Sequence, residues 1–157
     1  MAGGEVTGRF AALRQYQHDG QRSPHKPLLV LLALGRLAHS GSSSLSWSAA
    51  EPVLAGLIAE FGPASRTGRA QSAAYPFTRL RADGVWVLDQ DVPMDRVGPL
   101  AGVTGRLESS VEDALRADPA LAGSVARMLV LSNFPETVAP DVLEAAGLDP
   151  DAVLGRL

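Results

Sequence analysis

The chain has 157 residues, 46% hydrophobic and 20% charged, with a formal net charge of −3; that length suits one domain, burying about two-thirds of its unfolded surface, and the composition excludes disorder. With no cysteine, disulfides and thiolate metal sites are excluded, and a reducing cytoplasm is the expected location. The N-terminus MAGGEVTGRF has no apolar targeting core, and the longest apolar run, Leu28–Leu34, is far short of the ~20 residues a membrane span needs.

Charge is unevenly spread along the chain. Residues 1–82 hold nine Arg or Lys against four Asp or Glu, a net of +5; residues 83–157 hold five against thirteen, a net of −8. A basic half (1–82) joined to an acidic half (83–157) predicts that the first half meets a polyanion.

The first predicted element is a short helix over Glu5–Gln17, with Phe10, Leu13 and Tyr16 on one face. HDGQRSP, residues 18–24, reads as a loop. Pro27 suits a first helical turn, where its missing N–H is not needed, and this helix runs to about His39 with most of its circumference buried. SLSW, residues 44–47, alternates like a short strand. Ser48 is the expected N-cap of a helix over 49–61, with Val53, Leu54, Leu57, Ile58 and Phe61 on one face. GPASRTGRAQS, residues 62–72, reads as a basic loop closing with a short helical turn. FTRLR, ADG and VWVLD then predict a hairpin turning at Asp83-Gly84. GPLAGVTG, residues 98–105, reads as loop, and helices are expected over 109–117, 119–132 and 140–146.

The expected fold class is therefore α+β and mostly helical. Its core is winged-helix-like (helix, short strand, helix, basic loop or short helix, β-hairpin), with a C-terminal helical bundle, in a single domain over 1–157.

Catalytic patterns are missing from the sequence. The histidines are His18, His25 and His39, and none pairs with another at metal-ligand spacing. Lys26 is the one lysine and has no acid near it in sequence. No nucleophile elbow, P-loop or dinucleotide fingerprint occurs. Asp89, Asp91 and Asp95 lack the Gly and distal Glu of a calcium loop. A non-catalytic chain without metal or cofactor is expected.

Two tracts carry chemistry. His25 and Lys26 open a helix, where cations oppose the helix dipole unless an anion binds beside them. Phosphate is the obvious anion. SRTGRAQSAAYPFTRLR, residues 65–81, carries Arg66, Arg69, Arg79 and Arg81 and no acid. Thr67, Gln71 and Ser72 are candidate donors to phosphates or bases. Tyr75-Pro76 sets an aromatic ring beside a pyrrolidine inside this basic tract.

These residues carry a resemblance. SPHKPLLVLLALGRL (23–37), FGP (61–63), YPFTRL (75–80) with DGVWVL (83–88), and SNFPET (132–137) resemble the sulfur-binding domain of phosphorothioate-dependent, modification-directed (type IV) restriction endonucleases. The match is spread over almost the whole chain. It implies a DNA-binding module of a bacterial restriction system, recognising a backbone in which one non-bridging phosphate oxygen is sulfur. In that family a nuclease domain of the His-Asn-His type commonly shares the polypeptide, and none is expected within these residues. The chain departs from the pattern at Ala74, where an acid is expected, and at Thr78, where a large aromatic is expected.

The physics of such a site fits. A phosphorothioate keeps its charge, but sulfur is larger and less well hydrated than oxygen. An apolar dent would accept sulfur yet strip water from an ordinary phosphate oxygen, at about 1–3 kcal/mol. Tyr75, Pro76, Ser72 and Arg79 are the expected sulfur pocket. His25, Lys26, Arg66, Thr67, Arg69, Gln71 and Arg106 are the expected contacts to DNA backbone or bases, with the Asn133-Phe134-Pro135 turn as a further candidate. On the residues alone two other readings stay open: a winged-helix regulator of unmodified DNA, and a protein-interaction domain using the acidic helical half.

Overall fold

The computed structural model describes residues 2–18, 21–63 and 68–155. Helix α1 (Gly3–Ala11) buries Val6 and Phe10. It stops earlier than the periodicity predicts, and Tyr16, beyond its end, is exposed. Part of the predicted loop 18–24 pairs instead as a two-residue ladder, β1 (Gln17–His18) with β2 (Gln21–Arg22).

Helix α2 (His25–Ser40) is the central element. Its residues Leu28, Leu29, Val30 and Leu31 are fully buried, as the unbroken apolar run predicts. It ends on Gly41 in the left-handed conformation (φ 78°), which costs glycine no Cβ clash. Strand β3 (Leu45–Ser46) leads into α3 (Trp47–Phe61). The N-cap is Ser46 rather than Ser48, its hydroxyl accepting from the Ala49 amide at 3.3 Å. Leu54, Leu57 and Ile58 face the core as predicted, while Val53 is exposed.

The largest departure from the sequence reading lies in residues 69–83. They form helix α4 (Arg69–Arg79) and a 3-10 turn (Leu80–Asp83), not a loop and a strand. Ala73, Ala74, Phe77 and Leu80 are fully buried at helical spacing, and that packing overrides the breaking tendency of Pro76 inside the helix. The Phe77 ring sits edge-on between Trp47 (5.1 Å) and Trp86 (5.7 Å). Gly84 (φ 75°) ends the 3-10 turn; it does not turn a two-strand hairpin.

The predicted hairpin is corrected accordingly. Strand β4 (Trp86–Leu88) pairs antiparallel not with 77–81 but with β5 (Thr104–Leu107), which begins within residues 98–105, where the sequence predicts a loop. The sheet order is β3-β5-β4, with Leu45 and Leu88 both opposite Gly105. Gly105 is required there: a Cβ would lie 2.3 Å from the Trp86 ring. That ring spans the strand and donates from Nε1 to the Phe77 carbonyl at 3.0 Å, which fixes the sheet against α4.

The acidic helices match their predicted spans closely: α5 (Ser109–Ala117), α6 (Pro119–Asn133) and α7 (Ala139–Ala145), followed by a short α8 (Pro150–Leu154) that the sequence reading omits. Glu108 and Asp118 cap α5 and α6, their side chains accepting from first-turn amides. The fold is mostly helical with one small three-stranded antiparallel sheet. Among the described residues no helix is long and apolar enough to cross a membrane.

Candidate nucleic-acid interface

Along α4, Ser72, Tyr75, Pro76 and Arg79 follow one another at offsets of three, four and seven residues, so they share one face. Tyr75 is partly buried and Pro76 buried. The first turn of α2 packs alongside: the His25 ring meets the Tyr75 ring edge-on, with centroids 6.0 Å apart. His25 and the Tyr75 face of α4, which the sequence places in two separate tracts, therefore form one surface. The Arg79 guanidinium lies 5.0 Å from the centre of the Tyr75 ring, within cation–π range.

Burial lowers the pKa of His25 below the ordinary histidine value, because the charged ring would lose hydration. Its Nδ1 is 2.5 Å from the Ser23 hydroxyl. A tautomer with Ser23 donating to Nδ1 would carry its proton on Nε2.

Lys26, expected from the sequence to offer its charge to phosphate, does not face solvent here. Its side chain is 5% exposed, and its ammonium donates to Asp83 at 2.6 Å; the Asp83 side chain is itself 2% exposed. Asp83 also accepts from the Arg14 amide at 2.9 Å. One position further round the helix from His25, the lysine points inward. The acid that receives it is 57 residues away, which is why no local pattern announced the pair.

A similar commitment runs through the basic half. Arg79 holds Asp95 side-on, from Nε at 2.8 and 3.0 Å and from Nη2 at 2.6 Å; these bonds keep its pKa above the ordinary arginine value. Arg81 reaches Asp91 at 3.9 Å and the carbonyls of Thr78 and Val92. Arg9 lies 4.0 Å from Glu108. Acids of the second half thus neutralise bases of the first, and the charge asymmetry of the sequence is partly erased in space. Asp89 caps Thr104 through its amide at 2.9 Å, so Asp89, Asp91 and Asp95 serve three separate partners. Among the described residues no three His, Asp or Glu gather as a metal site.

Of the other expected contacts, Gln71 donates to the Asp95 carbonyl at 2.6 Å, and Arg106 pairs with buried Glu112 while remaining 44% exposed. Asn133 is occupied inside the protein, its amide donating to the Leu129 carbonyl at 2.8 Å and its oxygen accepting from Gln15 at 2.7 Å. Arg69 is exposed at the start of α4, and no hydrogen bond or ion pair engages it among the described residues. Arg66 and Thr67 lie outside the described residues. Sequence reasoning missed Ser23, Asp83 and Asp95, each a partner of a residue it had chosen.

Residues 4–151 match the ScoMcrA-like DNA sulfur-binding domain, and the chain belongs to that family. Its fold is similar to the sulfur binding domain of ScoMcrA complexed with phosphorothioated DNA, with a TM-score of 0.76 at 22% identity over 90% of this chain and 94% of that one. It is equally similar to the sulfur binding domain of SprMcrA complexed with phosphorothioated DNA, at 0.76 and 21% identity over 97% of each chain. Against the type IV phosphorothioation-dependent restriction endonuclease ScoMcrA the TM-score is 0.70 at 23% identity, covering 93% of this chain and 34% of that one. No curated protein matches the sequence.

Proposed function

We propose that this domain binds double-stranded DNA carrying a phosphorothioate, seating the sulfur against the Tyr75–Pro76 face of α4 beside the start of α2. The observation that carries the reading is the meeting of Tyr75 and His25 at 6.0 Å: an apolar ring surface lies against a helix N-terminus. The backbone N–H groups of the first turn of α2 and the His25 ring suit a phosphate oxygen. The rings of Tyr75 and Pro76 and the aliphatic stem of Arg79 suit sulfur, which needs no hydrogen bond. The order helix, strand, helix, helix, strand, strand with the sheet order β3-β5-β4 supports a winged-helix-like reading in which α4 is offered to the DNA. Cleavage would belong to a nuclease domain elsewhere on the polypeptide or on a partner, in a bacterial cytoplasm, with this domain as the targeting module.

Gel shifts with matched duplexes, identical except for one phosphorothioate, test the reading. The modified duplex should bind at least tenfold more tightly; equal binding would sink the proposal. Tyr75→Ala and Pro76→Ser should lower binding to the modified duplex while leaving the unmodified one unchanged or slightly tighter. The ratio should fall about tenfold, or ~1.4 kcal/mol, within the range for an unpaired polar group in an apolar site. If both duplexes weaken equally while circular dichroism is unchanged, the pocket lies elsewhere.

Arg69 is proposed as a contact to the backbone alone. Arg69→Ala should weaken binding to both duplexes by similar factors and flatten the plot of log affinity against log salt by about one unit of slope. An unchanged slope would remove Arg69 from the phosphate contacts.

A further inference from the structure

The segment between α1 and α2 lies beside the Tyr75 face and presents two side chains of its own. Burial alternates along it: Leu13 is buried and Gln15 partly buried, while Arg14 and Tyr16 are exposed, Tyr16 at 63%. A period of two is that of extended chain, so Arg14 and Tyr16 share one side. The Ser23 amide donates to the Tyr16 carbonyl at 2.6 Å, which carries the β1–β2 register, Gln17 opposite Arg22, one pair further. Side chains directly opposite in an antiparallel pair stand on the same face, so the Tyr16 ring stands on the side of the Ser23 hydroxyl. That hydroxyl is 2.5 Å from His25 Nδ1, and the His25 ring meets Tyr75. Tyr16, Ser23, His25 and Tyr75 thus follow one another across a continuous surface.

Three bonds fix the segment there. The Arg14 amide donates to Asp83, the acid that also holds Lys26 of α2. The Gln15 side chain donates to the Ser23 carbonyl at 2.8 Å and to Asn133, at the end of α6, at 2.7 Å. The two outward side chains contribute nothing to the core, and among the described residues no ion pair engages the Arg14 guanidinium. Arginine and the tyrosine hydroxyl are both groups that fix a protein on the phosphates of a duplex. We infer that Arg14 and Tyr16 hold the DNA backbone beyond the footprint of α4, at phosphates outside the modified linkage, and add affinity that is blind to both sulfur and base. Asn133 then serves DNA binding through Gln15, by fixing this strand, rather than by touching the duplex. The inference rests on the proposed seating of the duplex against Tyr75 and His25.

Ethylation interference on the matched modified and unmodified duplexes tests this, because ethylating a contacted phosphate removes its charge and blocks binding. The wild type should show interference at phosphates separate from the cluster at the linkage, and Arg14→Ala and Tyr16→Phe should each lose it at those phosphates only. In gel shifts Arg14→Ala should weaken both duplexes about tenfold and flatten the salt slope by about one unit. Tyr16→Phe removes a neutral donor; it should weaken both duplexes about fivefold and leave the slope unchanged. Neither variant should change the ratio of modified to unmodified binding. Wild-type affinity and an unaltered interference pattern in both variants overturn the inference. So does a loss confined to the modified duplex, which would place these residues at the sulfur. Failure of the sulfur reading shows separately, as equal binding of the two duplexes by the wild type; outlying interference lost in the two variants would still support the roles of Arg14 and Tyr16.

Discussion

Asp83→Ala should cost the domain about 3–5 kcal/mol of stability, a large share of the 5–15 kcal/mol typical of a folded domain. The substitution leaves the Lys26 ammonium, 5% exposed, without its counter-charge, and the Arg14 amide without its acceptor. An uncompensated buried charge is far worse than no charge, so the double variant Lys26→Met/Asp83→Leu should recover most of the loss. Urea denaturation of the three proteins gives the comparison directly. A loss below about 1 kcal/mol for Asp83→Ala would mean that the pair is hydrated in solution. The double variant also separates two roles for Lys26. If the lysine only anchors the start of α2 to the turn before β4, the folded double variant keeps the wild-type salt dependence of DNA binding. A slope flattened by about one unit would return Lys26 to the phosphate contacts.

Glu112→Ala is the second severe change. The side chain is 0% exposed and accepts from the Ser43 amide at 2.8 Å, the Ser43 hydroxyl, Arg106, and Arg116 at 2.8 Å. The Ser43 oxygen in turn accepts from the Leu107 amide at 2.9 Å. One carboxylate thus ties the loop before β3 to strand β5 and helix α5. The arginines are partly exposed and can turn to water, but the two Ser43 donors cannot. Leaving them unpaired should cost about 3 kcal/mol in all, at roughly 1–3 kcal/mol for each buried donor.

Acid sensitivity gives a second readout of the same group. Burial alone would push the Glu112 carboxyl up, but the bonds from Ser43 and the charges of Arg106 and Arg116 hold it below the ordinary carboxylate value. Its contribution is therefore complete above the pKa of the unfolded chain and is lost as pH falls through the lower folded value. Glu112→Gln should be less damaging than Glu112→Ala at neutral pH and should unfold with a flatter acid limb. An acid limb identical to wild type would show that another group drives acid unfolding.

Local signals made much of this protein legible. The apolar run Leu28–Leu34 behind Pro27 read as a buried helix, and the spans of α5 and α6 were legible in the sequence. The aromatic-proline pair in an acid-free basic tract marked Tyr75 and Pro76, and the motifs around them carried the family resemblance. What misled was also local. Pro76 and the β-prone run Phe77-Thr78 read as strand, and Asp83-Gly84 read as a hairpin turn. Buried Ala73, Ala74 and Phe77 decided otherwise, because apolar burial against α3 outweighs a single helix-breaking residue.

The sequence by itself determined the helical scaffold, the family and the residues worth suspecting, since each depends on neighbours within a turn or two of chain. Only the tertiary structure decided which of the suspected charges are free. Lys26 went to Asp83, Arg79 to Asp95 and Arg106 to Glu112, across gaps of 57, 16 and 6 residues. A guanidinium or ammonium takes the acid that folding brings within about 3 Å, and Coulomb energy depends on that distance in space, not on separation along the chain.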